Sequence, residues 1–298
     1  MTHDVIVVGG SFAGLSAAMQ LARARRTVLV IDAGRPRNRF SPASHGFLGQ
    51  DGNPPLEIMA TGRRELLAYP SVSFIDGEVV SAKAAPGGFD LGLGDGRVFA
   101  GRRLVLATGV RDELAAIEGL WPRWGCSVIH CPYCHGYEVS GRALGVIASG
   151  PMAIHQALLV TDWGTVTYFS QGVFEPNAEQ MTKLAVRGIA IERAPVVELL
   201  GAVPELDGAL LDDGRVIALS AVFVQPKAHL VGSLAAQLGC ESDDTPMGQV
   251  IRIDDRKQTT VKGVYAAGDA ASPMWNATLA AAAGLGAGVC AHQSLVFD

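Results

Sequence analysis

Apolar and polar positions in the first third of the chain fall into short strand-like runs around one helix-length stretch. Val5 to Val8 is a four-residue apolar run, Gly9 to Ser11 a Gly/Ser turn, and Ala13 to Arg25 a helical segment. A second apolar run, Thr27 to Ile31, ends on Asp32, so the opening predicts a βαβ unit. Gly-punctuated runs then predict strands at Val72 to Ile75, Val79 to Ala82, Phe89 to Leu93 and Arg97 to Ala100. A buried strand follows from Arg103 and ends on the small residues Ala107, Thr108 and Gly109. A second strand-turn-helix-strand pattern starts at Leu144, continues as a helix to about Asp162 and reaches a strand at Thr165 to Phe169. Gly263 to Asp269 repeats the strand-to-small-residue pattern ahead of an Ala-rich helix, Ala277 to Ala291.

Two nucleotide-fold starts in 298 residues predict an α/β protein of two Rossmann-like domains. Hydrophobic residues at 49%, charged residues at 18% and a mean hydropathy of +0.26 leave ample material for packed cores. A net charge of -5, without a sustained Lys/Arg run, argues against nucleic acid or an anionic membrane surface as partner. The window Ala277 to Ala291 is expected to be too short to span a bilayer. No signal or transit peptide is readable around Asp4 and the short run after it, which makes cytoplasm the expected compartment. Gly is over-represented, 36 of 298 against a usual share of roughly 7%.

Within the first unit, Gly9-Gly10-Ser11-Phe12-Ala13-Gly14 approximates GxGxxG, with Ser11 in place of the middle Gly. Such a turn lets the N-terminal amides of the helix approach a pyrophosphate. Asp32 stands near the spacing at which a carboxylate reaches a ribose 2'-OH. The second unit is degenerate: Ala148 occupies the place of its first Gly and Pro151 follows Gly150. Its strand runs into Ser170-Gln171-Gly172, with neither an acidic residue for a ribose nor an Arg cluster for a 2'-phosphate. A Rossmann-like domain that binds nicotinamide poorly is the expectation there.

Five cysteines are an odd number for a secreted disulfide scaffold. Cys126, Cys240 and Cys290 are expected to be ordinary buried thiols. Cys131-Pro132-Tyr133-Cys134-His135-Gly136-Tyr137-Glu138 is the most specific stretch. In a CxxC the second thiol can resolve a mixed disulfide, and His135 is suited to move a proton near neutral pH. A zinc site using the flanking His130 and His135 is the competing reading, disfavoured because structural zinc normally takes two separated ligand pairs; inert thiols are the other. No metal is expected.

Taken with Arg37-Asn38-Arg39, Ala107-Thr108-Gly109 and Gly268-Asp269 in the same order, these motifs resemble the low-molecular-weight thioredoxin reductase class of flavoproteins. The similarity is strongest to its dithiol-oxidase branch, which makes disulfides in gliotoxin- and holomycin-type metabolites. The resemblance implies an FAD domain split in sequence, 1-112 plus 227-298, around an inserted nicotinamide-type domain, 113-226, that carries the cysteines. It implies that Gly9, Ser11, Ala13 and Gly14 face the FAD pyrophosphate, Asp32 the adenosine ribose, and Gly268 and Asp269 the ribityl or pyrophosphate side, with Phe12 and Ala33 among the other cofactor contacts. Arg37, Asn38, Arg39 and His45 fall on the flavin side, and Val79, Ala107, Thr108, Gly109 and Thr278 complete the cofactor set. Cys134 would exchange electrons with FAD and Cys131 would meet the substrate. His135 replaces the acid that reductases use as proton donor, which favours oxidation of thiols. The implied partners are a small-molecule or peptide dithiol, or a thioredoxin-like protein, and a second copy in a homodimer. Whether NADP(H) binds is left open. The implied activity is dithiol oxidation with oxygen as acceptor; an NADPH-dependent reductase and a redox-sensing flavoprotein without turnover remain as alternatives.

Overall fold

The computed structural model describes residues 2–298. The chain begins with β1 (Thr2–Val8), α1 (Phe12–Arg23) and β2 (Val28–Asp32), followed by α2 (Pro55–Leu67), β3 (Val72–Asp76), β4 (Val79–Ala85), β5 (Gly88–Leu93), β6 (Val98–Leu106) and β7 (Val110–Glu113). The two strands expected from Arg97 to Gly109 are one. Residues 98–101 of β6 pair antiparallel with β5, while its second half lies parallel to β1. No proline interrupts it, and both halves pair on the same sheet.

The middle of the chain forms β8 (Val128–Ile129), α3 (Pro132–His135), β9 (Ala143–Ile147), α4 (Met152–Val160), β10 (Thr165–Phe169), α5 (Ala178–Val186) and β11 (Ala190–Glu192). After these come β12 (Val196–Leu200), β13 (Gly208–Leu211), β14 (Val216–Ala218) and β15 (Ala221–Val224). The remaining elements are β16 (Lys227–Leu230), α6 (Leu234–Gln237), β17 (Ser242–Thr245), β18 (Gly248–Ile251), β19 (Val264–Ala266) and α7 (Ala277–Phe297).

The largest sheet has the order β3-β2-β1-β6-β5-β4, with β19 added to β6. β19 pairs with Leu104, Val105 and Leu106 on the edge of β6 that β5 uses farther down. A strand more than 150 residues away in sequence thus completes the first sheet. A five-stranded parallel sheet, β11-β10-β9-β15-β8, is built from the middle of the chain. A small sheet, β17-β18-β16-β7, joins the two long segments, because β7 pairs antiparallel with β16.

One apolar core lies between the large sheet and α1 with α7; it contains Val5, Val7, Ala17, Leu21, Val30, Val105, Ala287 and Ala291. Small residues let the two helices meet backbone to side. A Cβ on Gly284 would overlap Ala13 O, and one on Gly288 would lie 2.5 Å from Ala17 O. The Ala-rich helix runs past the expected Ala291 to Phe297, and its 21 residues are long and apolar enough, by length and composition alone, to cross a membrane. Its small-residue face is instead covered by α1, and Leu279, Leu285 and Val296 stand exposed on it.

Candidate active site

The cofactor-type cradle is set by β1, the turn after it and the N-terminus of α1. Gly9 has φ +105° and packs so closely on Ala107 O that a side chain could not fit. Gly10 N donates to Asp32 Oδ1 at 3.0 Å, fixing the carboxylate at the end of β2. Ser11 caps α1 without a side-chain hydrogen bond, leaving first-turn N–H groups open to an anion. Gly14 departs from its expected contact. It is buried against Gly9 O and does not line the cavity; it allows helix and strand to approach.

A cavity of about 670 Å³ runs from this turn to the cysteine pair. Gly9, Ser11, Phe12, Ala13, Asp32, Ala33, Arg37, Asn38, Arg39, His45, Val79, Ala107, Thr108, Gly109, Gly268 and Asp269 all line it, as do Cys131, Cys134 and His135. Thr278 does not. It is exposed in the first turn of α7, where its N–H donates to the capping Asn276 Oδ1 at 2.8 Å; Trp275, Asn276 and Ala277 face the cavity in its place.

Arg37 ties three segments together. Its guanidinium donates to both oxygens of Asp112, at 2.9 and 2.5 Å, and to Asp269 Oδ2 at 3.0 Å. It also stacks over Trp275, 3.8 Å from the ring centroid. Desolvation pushes the Asp269 carboxyl upward and the Asp112 charge adds to it, against the pull of Arg37. Desolvation works to lower the Arg37 pKa, but its two carboxylate partners outweigh that and raise it. Arg39 is spent differently, donating to Pro36 O and stacking on Phe40.

The cysteines are disulfide-bonded with Cα atoms 5.3 Å apart. Cys131 precedes α3, whose single turn returns Cys134 N and His135 N to Cys131 O. His135 Nε2 lies 3.3 Å from Ser41 Oγ, and its ring meets His45 edge-on at 5.9 Å. His45 lies 3.4 Å from Glu138 and 3.6 Å from Asp51. Desolvation lowers the His135 pKa, with Glu138 opposing and His45 assisting, so the ring is neutral and able to accept a proton at neutral pH. His130 is no partner of the cysteines in a metal site. It faces Trp275 at 5.3 Å, and desolvation with the Arg37 charge takes its pKa down to about 4. Among the described residues the one cluster with metal-ligand spacing is His45, His135 and Glu138, which the sequence did not single out.

The other thiols are half-buried rather than buried. Burial raises the Cys126 and Cys240 pKa values, which disfavours thiolate at both. Sequence reasoning gave no role to Ser41, Asp112 or Glu138, although Glu138 closes the motif that begins at Cys131, because each becomes meaningful only through a partner from another segment. Pro36 to Ser41 and His45 to Asp51 read locally as polar loop.

Residues of the cradle fit FAD on structural grounds: open helix N-terminal amides, a carboxylate braced at the end of β2, and an orphaned donor. Trp275 Nε1 is buried at the cavity wall without a partner, a polar atom that a bound cofactor can satisfy. A dinucleotide cradle and a disulfide opening on one cavity define a flavin-linked disulfide oxidoreductase. Residues 3–284 match the model of the pyridine nucleotide-disulphide oxidoreductase family, and the chain belongs to that family. It is an FAD-dependent thiol-disulfide oxidoreductase of the thioredoxin reductase-like type. Thioredoxin reductase tcpT of Claviceps purpurea (strain 20.1) is 32% identical, with 99% of this chain and 95% of that protein covered. Thioredoxin reductase sirT of Leptosphaeria maculans is 31% identical over 96% of this chain and 92% of its own length. An oxidoreductase from Agrobacterium tumefaciens superposes with a TM-score of 0.96 at 48% identity, covering 100% of this chain and 99% of that one. HlmI superposes at 0.92 with 37% identity, covering 99% and 93%.

Proposed function

We propose that the protein oxidises a small-molecule or peptide dithiol to its disulfide, with oxygen as the final electron acceptor. The observation that carries this reading is a neutral imidazole, His135, placed where it can take a thiol proton beside the Cys131–Cys134 disulfide on the cofactor cavity. A substrate thiol gives its proton to His135, and the thiolate attacks Cys131 Sγ. The Cys131–Cys134 bond breaks and Cys134 leaves as thiolate. His135 passes that proton to solvent and then takes the proton of the second substrate thiol, whose thiolate attacks the substrate sulfur of the mixed disulfide and expels Cys131 as thiolate. FAD bound in the cavity supplies the two-electron acceptor that returns the pair to a disulfide.

The residues 1-112 with 227-298 form the cofactor domain in this reading, and 113-226 the inserted one; the pairing of β7 with β16 at the two crossings supports it. A homodimer is part of the same proposal, supported by the exposed apolar residues Leu279, Leu285 and Val296 along α7.

A second reading, a reductase fed by NADPH toward a thioredoxin-like protein, is favoured by one observation. A cavity of about 1020 Å³ opens in front of Ser149, Gly150 and Pro151, and nothing crowds Gly150. Against it, Gln171 at the end of β10 is committed to the Val196 backbone through both side-chain atoms, so it is not free for a ribose.

Anaerobic bleaching of the flavoprotein by a dithiol, NADPH or NADH decides between them. Rapid bleaching by dithiol alone, reversed by air with one peroxide formed per disulfide, is expected. Rapid bleaching by NADPH and none by dithiol would favour the reductase, and full dithiol turnover by Cys134→Ser would end the proposed mechanism.

A further inference from the structure

We propose that Ser41 is a positioning residue that fixes the proton of His135 on Nε2 and so makes Nδ1 the atom that receives the substrate proton. This rests on the dithiol-oxidising reading for its catalytic meaning, but the tautomer itself is a property of the resting protein. A serine hydroxyl has one hydrogen to donate. Ser41 Oγ spends it on Ala43 O at 2.7 Å, a carbonyl that can only accept. At the 3.3 Å contact with His135 Nε2 the hydroxyl must therefore accept, and the imidazole must donate. A neutral imidazole has one N–H, so the lone pair lies on Nδ1. Among the described residues no protein group hydrogen-bonds Nδ1, while the ring lines the same cavity as both cysteines.

The consequence follows through the proton transfer. The S–H bond of the substrate breaks, an N–H bond forms at Nδ1, and the imidazolium keeps its Nε2–H on Ser41. That bond becomes charge-assisted and stronger at the moment charge appears. Glu138 faces the same imidazolium and favours it; His45 opposes it, itself held between Glu138 and Asp51. Ser41 thus supports the charged ring from the side away from the free Nδ1, and its removal lowers the His135 pKa further.

Two measurements test this. In histidine-labelled oxidised flavoprotein, nitrogen NMR should show His135 as the Nε2–H tautomer, with its signal identified by loss in His135→Asn. Ser41→Ala should mix the tautomers, slow dithiol-driven flavin bleaching about tenfold, and move the acid limb of the pH–rate profile to lower pH. Ser41→Thr, which keeps a hydroxyl, should restore all three. An Nδ1–H tautomer in the wild-type protein overturns the proposal, as does a Ser41→Ala protein with unchanged rate and profile, or equal defects in the Ala and Thr variants. If the tautomer is Nε2–H but no dithiol bleaches the wild-type flavin, the assignment stands and the oxidase reading falls.

Discussion

Arg37 shows how much one side chain can organise. Its forked guanidinium neutralises Asp112, whose side chain is 4% exposed, and Asp269 beside it. The planar guanidinium grips Asp112 through two N–H groups and keeps a third for Asp269, a fixed fork that a lysine ammonium does not offer. Removing it leaves two carboxylates close together at a desolvated site, an arrangement that costs on the order of 3 kcal/mol or more. Arg37→Gln should therefore purify largely without flavin and bind added FAD at least tenfold more weakly. Arg37→Lys should fall between the two, because a point charge cannot replace the fork. Flavin fluorescence titration checks both, and unaltered FAD retention in Arg37→Gln would remove Arg37 from the account. A one-dimensional reading finds Arg37 as a basic residue in a loop. It cannot find the partners, which lie 75 and 232 positions away.

At the scale of elements, the helix pair α1 and α7 depends on the absence of side chains at defined points. A Cβ on Gly284 would overlap the backbone of Ala13 in the first turn of α1, whereas one on Gly286 would meet only Lys257 side-chain carbons, at 3.6 and 3.7 Å. Gly284→Ala should cost about 2 kcal/mol by forcing the helices apart. Gly286→Ala should be neutral or gain up to about 1 kcal/mol from helix propensity. Thermal unfolding of the two variants tests the contrast, and equal melting temperatures would contradict the packing described. Much at this scale was legible beforehand. The first βαβ unit, the strand at Thr165 to Phe169 and the start of α7 are where the apolar pattern put them. The two expected strands around Arg97 to Gly109 were not legible as one, because Gly101-Arg102-Arg103 reads as a turn. Gly101 in fact pairs with β5 and β1, and Ile6 packs against it where a side chain would be.

Over the whole molecule, stability should carry the mark of His130. In the unfolded chain its ordinary value is 6.5, and in the fold it falls to about 4, first by desolvation and then by the Arg37 charge. The unfolded state therefore binds more protons between those two values, so stability rises with pH across that window and is lost as pH falls through it. A depression of this size corresponds to roughly 3 kcal/mol once the pH lies below both values. Denaturant unfolding at pH 7 and pH 5 should show the loss in the wild-type protein and a smaller one in His130→Gln; parallel losses would assign the acid sensitivity to other groups.

The position of β19 and α7 bears on how the protein is made. Both reach the first sheet only after the whole middle of the chain has been synthesised, yet Gly268, Asp269 and Trp275 beside them form one wall of the cofactor cavity. A growing chain that has emerged only to about residue 226 can assemble the five-stranded sheet, since every strand of it is already present. It cannot close the flavin cradle. Non-local pairing of this kind is slow to form and leaves β6 with an unpaired stretch in the meantime. The five-stranded sheet is thus free to form before the first sheet is complete, and the cavity that would take the flavin closes last.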